Sequence, residues 1–167
     1  FRSAIHFACA GGNYKMVSML INDFGQLSHI DSLGRSALHY STEYNHTDIS
    51  KLIVENYISM HPDIMTTSSI VNKKDIFGAT PLHISVENEN EELIDYFIDN
   101  GANVNLCDSD GCTSLHIAAK VGSSALILKL LNNGAKFYKK SKNGRTIYHF
   151  AAFSNNATIF SDIIEIT

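Results

Sequence analysis

At 167 residues the chain is long enough for one compact domain or a short stacked array with a substantial core. With 44% hydrophobic residues and a formal net charge of -4, its composition points to neither a nucleic-acid-binding nor a membrane-surface protein. No apolar run approaches the ~20 residues of a spanning helix, and the opening FRSAIHFACAGG reads as a helix start, not a signal peptide. Cys9, Cys107 and Cys112 form no even framework, which predicts reduced thiols in an intracellular protein, cytoplasmic or nuclear.

In chain order, the first unit (about 1–30) opens with SAIH at Ser3–His6 and continues into an apolar stripe at Met16, Val17, Leu20 and Ile21. Such spacing puts one face of a helix against a neighbour. The second unit (31–74) carries SALH at Ser36–His39 and a stripe at Ile49, Ile53 and Val54. Eighteen residues, 57–74, then fill a space where the regular spacing leaves seven, a surplus of eleven. They predict an extension of the second helix until Pro62 interrupts it, then a Thr/Ser-rich surface excursion through Thr66, Thr67, Ser68 and Ser69. The third unit (75–107) is the clearest. Thr80 caps a helix with Pro81 at its first position, Leu93, Ile94, Phe97 and Ile98 stripe a second helix, and Gly101 ends it. The fourth (108–140) has TSLH at Thr113–His116 with a stripe at Leu126, Ile127, Leu130 and Leu131. The fifth (141–167) has TIYH at Thr146–His149 and a stripe at Ile159, Phe160, Ile163 and Ile164. It departs from the others in having Ser141 where they carry Asp, and Asn155 where a glycine often follows the first helix. Apolar residues near both ends, among them Phe1, Ile5, Ile164 and Ile166, predict a piece of a longer array.

The five motif histidines, His6, His39, His83, His116 and His149, step by 33, 44, 33 and 33 residues. A period of 33 with a T-P-L-H-x-A core resembles the ankyrin-repeat family over nearly the whole chain. The resemblance implies an all-α solenoid of helix-turn-helix units with β-hairpin-like turns, forming one domain over 1–167. In length alone, the segment after the second unit is similar to the extended inter-repeat segments of inhibitory ankyrin domains of the NF-κB system. The family further implies a non-catalytic interaction module that binds another protein, or another domain of its own chain, through a concave groove and the hairpin tips. Repeat alignment places Leu33, Arg35, Glu43, Tyr44, Ile76, Phe77, Glu87, Asn88, Asp110 and Lys120 at such positions. Leu33, Tyr44, Ile76 and Phe77 stand out as apolar or aromatic residues at expected exposed sites, the composition of a binding hot spot. Beside this stands a cover formed by the insertion folding back over them.

Five of the eight histidines occupy one repeat position, so stacking separates them instead of converging them on an ion. With no HExxH, paired CxxC or Gly-rich phosphate loop in the sequence, we expect no catalytic residue, metal site, cofactor or small-molecule substrate. Charge is segregated. Residues 75–119 contain no Lys or Arg, and residues 111–161 contain no Asp or Glu. Lys136, Lys139, Lys140, Lys142 and Arg145 gather at one finger, where an anionic lipid, an inositol phosphate or nucleic acid is the alternative ligand class. A further alternative is a regulatory segment of a larger channel or multidomain enzyme.

Overall fold

The computed structural model describes residues 1–22, 26–61, 64–154 and 156–166. Pro62 and Asn155, both singled out in the sequence, lie outside the described residues. Eleven α-helices run through the described residues: α1 (Ala4–Ala10), α2 (Tyr14–Asn22), α3 (Ala37–Glu43), α4 (Thr47–Met60), α5 (Ile64–Val71), α6 (Pro81–Glu87), α7 (Glu91–Asp99), α8 (Ser114–Val121), α9 (Ser124–Asn132), α10 (Ile147–Ala151) and α11 (Ile159–Ile166). The β pairing found among the described residues is an isolated antiparallel bridge between Ile30 and Ser36. The all-α repeat fold expected from the sequence is the fold observed.

Every first helix starts in the same way. Ser3, Ser36, Thr80, Thr113 and Thr146 sit at the N-cap in extended backbone, and the histidine three residues on reaches back. Its Nδ1 accepts the cap residue's own N–H, at 3.0 Å for Ser3 and 3.2 Å for the other four. This is a capping box with imidazole in the place that Glu or Gln usually holds. Because Nδ1 accepts, the proton sits on Nε2, which is thereby a donor. His39 Nε2 donates to the Ala79 carbonyl at 3.3 Å, and His116 Nε2 to the Lys139 carbonyl at 3.1 Å.

The chain divides into two compact bodies, Phe1–Ala102 and Asn103–Thr167. In the first, the leading helices α1, α3 and α6 pack in series, and α2, α4 and α7 do the same behind them. Ile5, Leu38 and Leu82 of the leading row, with Val17, Ile49, Ile53, Leu93, Ile94 and Phe97 of the rear row, are fully or almost fully buried. In the second body, α8 packs on α10 and α9 on α11, burying Leu115, Leu126, Ile127, Leu130, Ile147, Ile159 and Ile163.

Two sequence expectations are corrected here. The apolar stripes are narrower than drawn, since Met16, Phe160 and Ile164 are exposed at the stripe edges. The segment expected as a Thr/Ser-rich excursion is instead the helix α5. It packs against α4, with Ile70 and Val71 buried, so tertiary burial outweighs the weak helix preference of its Thr and Ser residues. Helix α4 does extend into the long segment, ending at Met60.

Burial pushes the imidazoles of His6, His39 and His116 below their ordinary value of 6.5. Protonation would also place a hydrogen on Nδ1 and break the capping box. A group depressed in this way gives stability that is complete above the unfolded value and lost as pH falls below it. Chemical denaturation at falling pH should therefore show stability dropping below about pH 6.5, at up to ~1.4 kcal/mol per pH unit per histidine. A His39→Gln/His116→Gln variant, which keeps an N3 acceptor, should flatten that slope. An unchanged slope would mean these rings do not govern it. Separately, Leu130→Ala should destabilise by ~2–5 kcal/mol as a core cavity, since Leu130 is fully buried.

Candidate functional site

The hairpin tips are built by a carboxylate. Asp31 Oδ1 accepts the N–H groups of Leu33 and Arg35 at 2.8 and 2.9 Å, and Asp75 Oδ1 accepts those of Phe77 and Ala79, both at 2.9 Å. Asp108 does the same for Asp110 and Cys112, at 2.9 and 2.8 Å. Where Ser141 replaces Asp, the hydroxyl accepts the Arg145 N–H at a longer 3.2 Å. Each turn also needs a left-handed residue. Gly34 has φ 68°, and a Cβ there would come within 3.3 Å of the Ile76 nitrogen in the next tip. Gly111 is tighter, with a Cβ meeting the Lys142 nitrogen at 2.7 Å. Adjacent tips are also laced together. Ile76 N–H donates to the Leu33 carbonyl at 2.9 Å, and Lys142 N–H to the Asp110 carbonyl at 2.8 Å.

On this rigid frame the first body presents Ile76 and Phe77, 58% and 52% exposed, and Tyr44, 50% exposed at the end of α3. Leu33 is half-buried between them and the turn. Among the described residues, the helix of the insertion, α5, packs on α4, and Ile76 and Phe77 keep more than half of their surface exposed. Other residues singled out in the sequence are tied into the scaffold. Arg35 bridges to Glu43 at 2.8 Å and lies 3.5 Å from the buried Asp75 carboxylate. Asn88 Nδ2 donates to the carbonyls of Thr42 and Glu43 at 2.9 and 3.1 Å. Glu87 is exposed beside it.

In the second body, Asp110 and Lys120 are exposed. Lys136, Lys140, Lys142 and Arg145 are also exposed, whereas Lys139 is half-buried and donates to the Asn105 carbonyl at 2.8 Å. Arg145 lies over the Phe153 ring at 5.8 Å from its centroid. Sequence reasoning passed over Asn105, whose Oδ1 accepts Lys136 N–H at 2.8 Å and whose amide donates to the Gly134 carbonyl at 2.8 Å. A polar residue just before the Asp of the next turn is its only signal in the sequence.

Burial pushes the Cys9 thiol up to about 12 and the Cys112 thiol to about 11, which favours the protonated thiol at both. Among the described residues, no three His, Cys, Asp or Glu side chains gather where they could hold a metal ion. No helix of the described residues is long and apolar enough to cross a membrane.

Comparison with known proteins bears on the same repeats. A family model for ankyrin repeats (three copies) matches residues 1–65 and 59–141. The chain is 25% identical over 123 residues to a probable E3 ubiquitin-protein ligase, XBOS32, of Oryza sativa subsp. japonica, covering 62% of this chain and 25% of that protein. It is 33% identical over 76 residues to the nuclear factor NF-kappa-B p105 subunit of Gallus gallus, covering 46% of this chain and 7% of that protein. The chain thus spans a quarter or less of these relatives. With matching cap and histidine geometry in every repeat, and a family match running to residue 141, the chain belongs to the ankyrin-repeat family.

Proposed function

We propose that this chain is a non-catalytic protein-interaction module whose docking surface in the first body combines the tip carrying Ile76 and Phe77 with Tyr44 at the end of α3. The observation that carries this reading is the exposure of Ile76 and Phe77, side by side on a turn whose N–H groups are all hydrogen-bonded. Large apolar groups held out on a rigid turn lose little conformational freedom when a partner covers them. Covering each one is worth ~1.5–3 kcal/mol. Leu33, Arg35, Glu87 and Asn88 then form the polar and half-buried rim that excludes water around the anchors.

Two longer relatives, of which this chain matches only a part, favour a second source for the partner. The occupant of the tips would then be another segment of a longer parent chain, which is the regulatory form of the same chemistry. An intracellular setting fits the thiols, two of which are buried.

An Ile76→Asp/Phe77→Asp variant places two carboxylates on the anchors and leaves every backbone bond of the turn in place. Affinity capture from lysate, with circular dichroism to confirm folding, should lose the partners that the unaltered chain retains. Against an isolated partner the loss should be ~2 kcal/mol or more, about thirtyfold in Kd. Retention of every partner by the variant would rule out these tips as the docking surface.

A further inference from the structure

The second body carries a surface of different chemistry. Residues 111–161 hold seven Lys and Arg and no Asp or Glu, and five of those cations fall between positions 136 and 145. Within that stretch, Tyr138 is 86% exposed, the most exposed aromatic side chain of this body. It stands edge-on to Phe137 at 5.0 Å, and Phe137 is edge-on in turn to Tyr148 at 5.9 Å. Lys136, Phe137, Tyr138 and Lys139 line an open recess that is mostly apolar inside with cations on its rim. A second recess of the same body is lined by Asp110, Ser141, Asn143, Arg145 and Phe150, among others.

The backbone of this surface is preformed. Asn105 grips the turn through Lys136 N–H and the Gly134 carbonyl, and Lys139 closes it onto the Asn105 carbonyl. The following tip is pinned by Lys142 N–H on the Asp110 carbonyl and by Ser141 N–H on the Arg145 carbonyl at 2.9 Å. The cations are therefore spaced by a fixed frame.

We propose that this surface docks an acidic polypeptide segment, with an apolar or aromatic side chain seated against Phe137 and Tyr138 and carboxylates on Lys136, Lys140, Lys142 and Arg145. Charge complementarity selects an anion, and the apolar recess selects one that carries a side chain to bury. A nucleic-acid strand is disfavoured because non-specific strand binding uses a series of open ring faces, whereas of the two rings lining the first recess Tyr138 alone is exposed and Phe137 is half-buried. A lipid surface needs a stripe of apolar groups to insert beside the cations, whereas Phe137 is half-buried and Tyr138 is the one exposed ring lining the recess.

The test titrates the intact chain with a short fluorescent peptide of Asp and Glu residues interrupted by single Phe and Leu residues. Parallel titrations use the same peptide with Asn and Gln replacing the acids, a single-stranded oligonucleotide, and vesicles rich in phosphatidylserine. The acidic peptide should bind with a salt-sensitive affinity at least about tenfold above the neutral one. Lys136→Glu/Lys140→Glu/Lys142→Glu should abolish binding, and Tyr138→Ser should weaken it severalfold without changing its salt dependence. The Ile76→Asp/Phe77→Asp variant should bind the acidic peptide as well as the unaltered chain does, which separates this surface from that in the first body. Equal binding of both peptides, no binding of either, or tighter binding of the oligonucleotide or vesicles would each overturn the proposal. So would a Tyr138→Ser variant of unchanged affinity.

Discussion

The reciprocal bond between a capping hydroxyl and the histidine three residues later is the constraint on which each repeat depends. A helix start leaves its first N–H groups without partners, and a buried start cannot leave them to water. Imidazole answers this with two nitrogens of opposite character. Nδ1 accepts from the cap's own N–H, which fixes the tautomer, and the fixed tautomer then makes Nε2 a donor. At His39 that donor reaches a carbonyl of the following repeat, and at His116 the Lys139 carbonyl at the end of its own repeat, so one ring both starts a helix and ties it to the chain near the next tip. A Glu or Gln could do the first task, but neither could reach onward in the same geometry. This gives the residue a structural reason to recur at one position of every repeat.

The tips inherit their rigidity from the same economy of bonds. Asp31, Asp75 and Asp108 each use one oxygen to hold two backbone N–H groups, so the intervening side chains contribute nothing to the turn. Ile76 and Phe77 can therefore be large and apolar without cost to the fold, and Lys142 or Asn143 can stand at the matching place in another repeat. Scaffold and surface are separate sets of residues. Tyr40 shows what happens when a side chain crosses that line: its hydroxyl donates to Asp31 Oδ2 at 2.7 Å and its ring is buried against His6, 5.2 Å away. Burial and the Asp31 carboxylate together push its phenol up to about 12.

How far the structure is legible in the sequence follows from this separation. Caps, turn glycines and the repeat histidines are demanded by backbone geometry, which few residue types satisfy, so their spacing reveals the fold. Helix α5 is not legible in this way. Thr66 to Ser69 carry the composition of a loop, and the helix depends on Ile70 and Val71 finding a place against α4, which no local pattern encodes. Met16, Phe160 and Ile164 fail similarly, because an i, i+1, i+4, i+5 stripe locates the centre of a buried face but not its edges. At the candidate surfaces, the exposure of Ile76 and Phe77 is readable because Asp75 dictates the turn. The engagement of Arg35 and Asn88 is not, since their partners come from other repeats.

Lys139 marks the limit of counting charges along a chain. Its ammonium is half-buried and donates to the Asn105 carbonyl, so it has one donor fewer for a ligand than Lys140 beside it. A carbonyl partner does not cancel a charge, however, and the ammonium still adds to the field at the mouth of the recess. Fixing it to the frame removes the freedom that a long side chain would otherwise lose on binding. The basic surface thus combines one cation whose position is set by the fold with neighbours free to adjust. That arrangement steers an acidic segment from a distance and leaves short-range selection to Tyr138 and the recess it lines with Phe137.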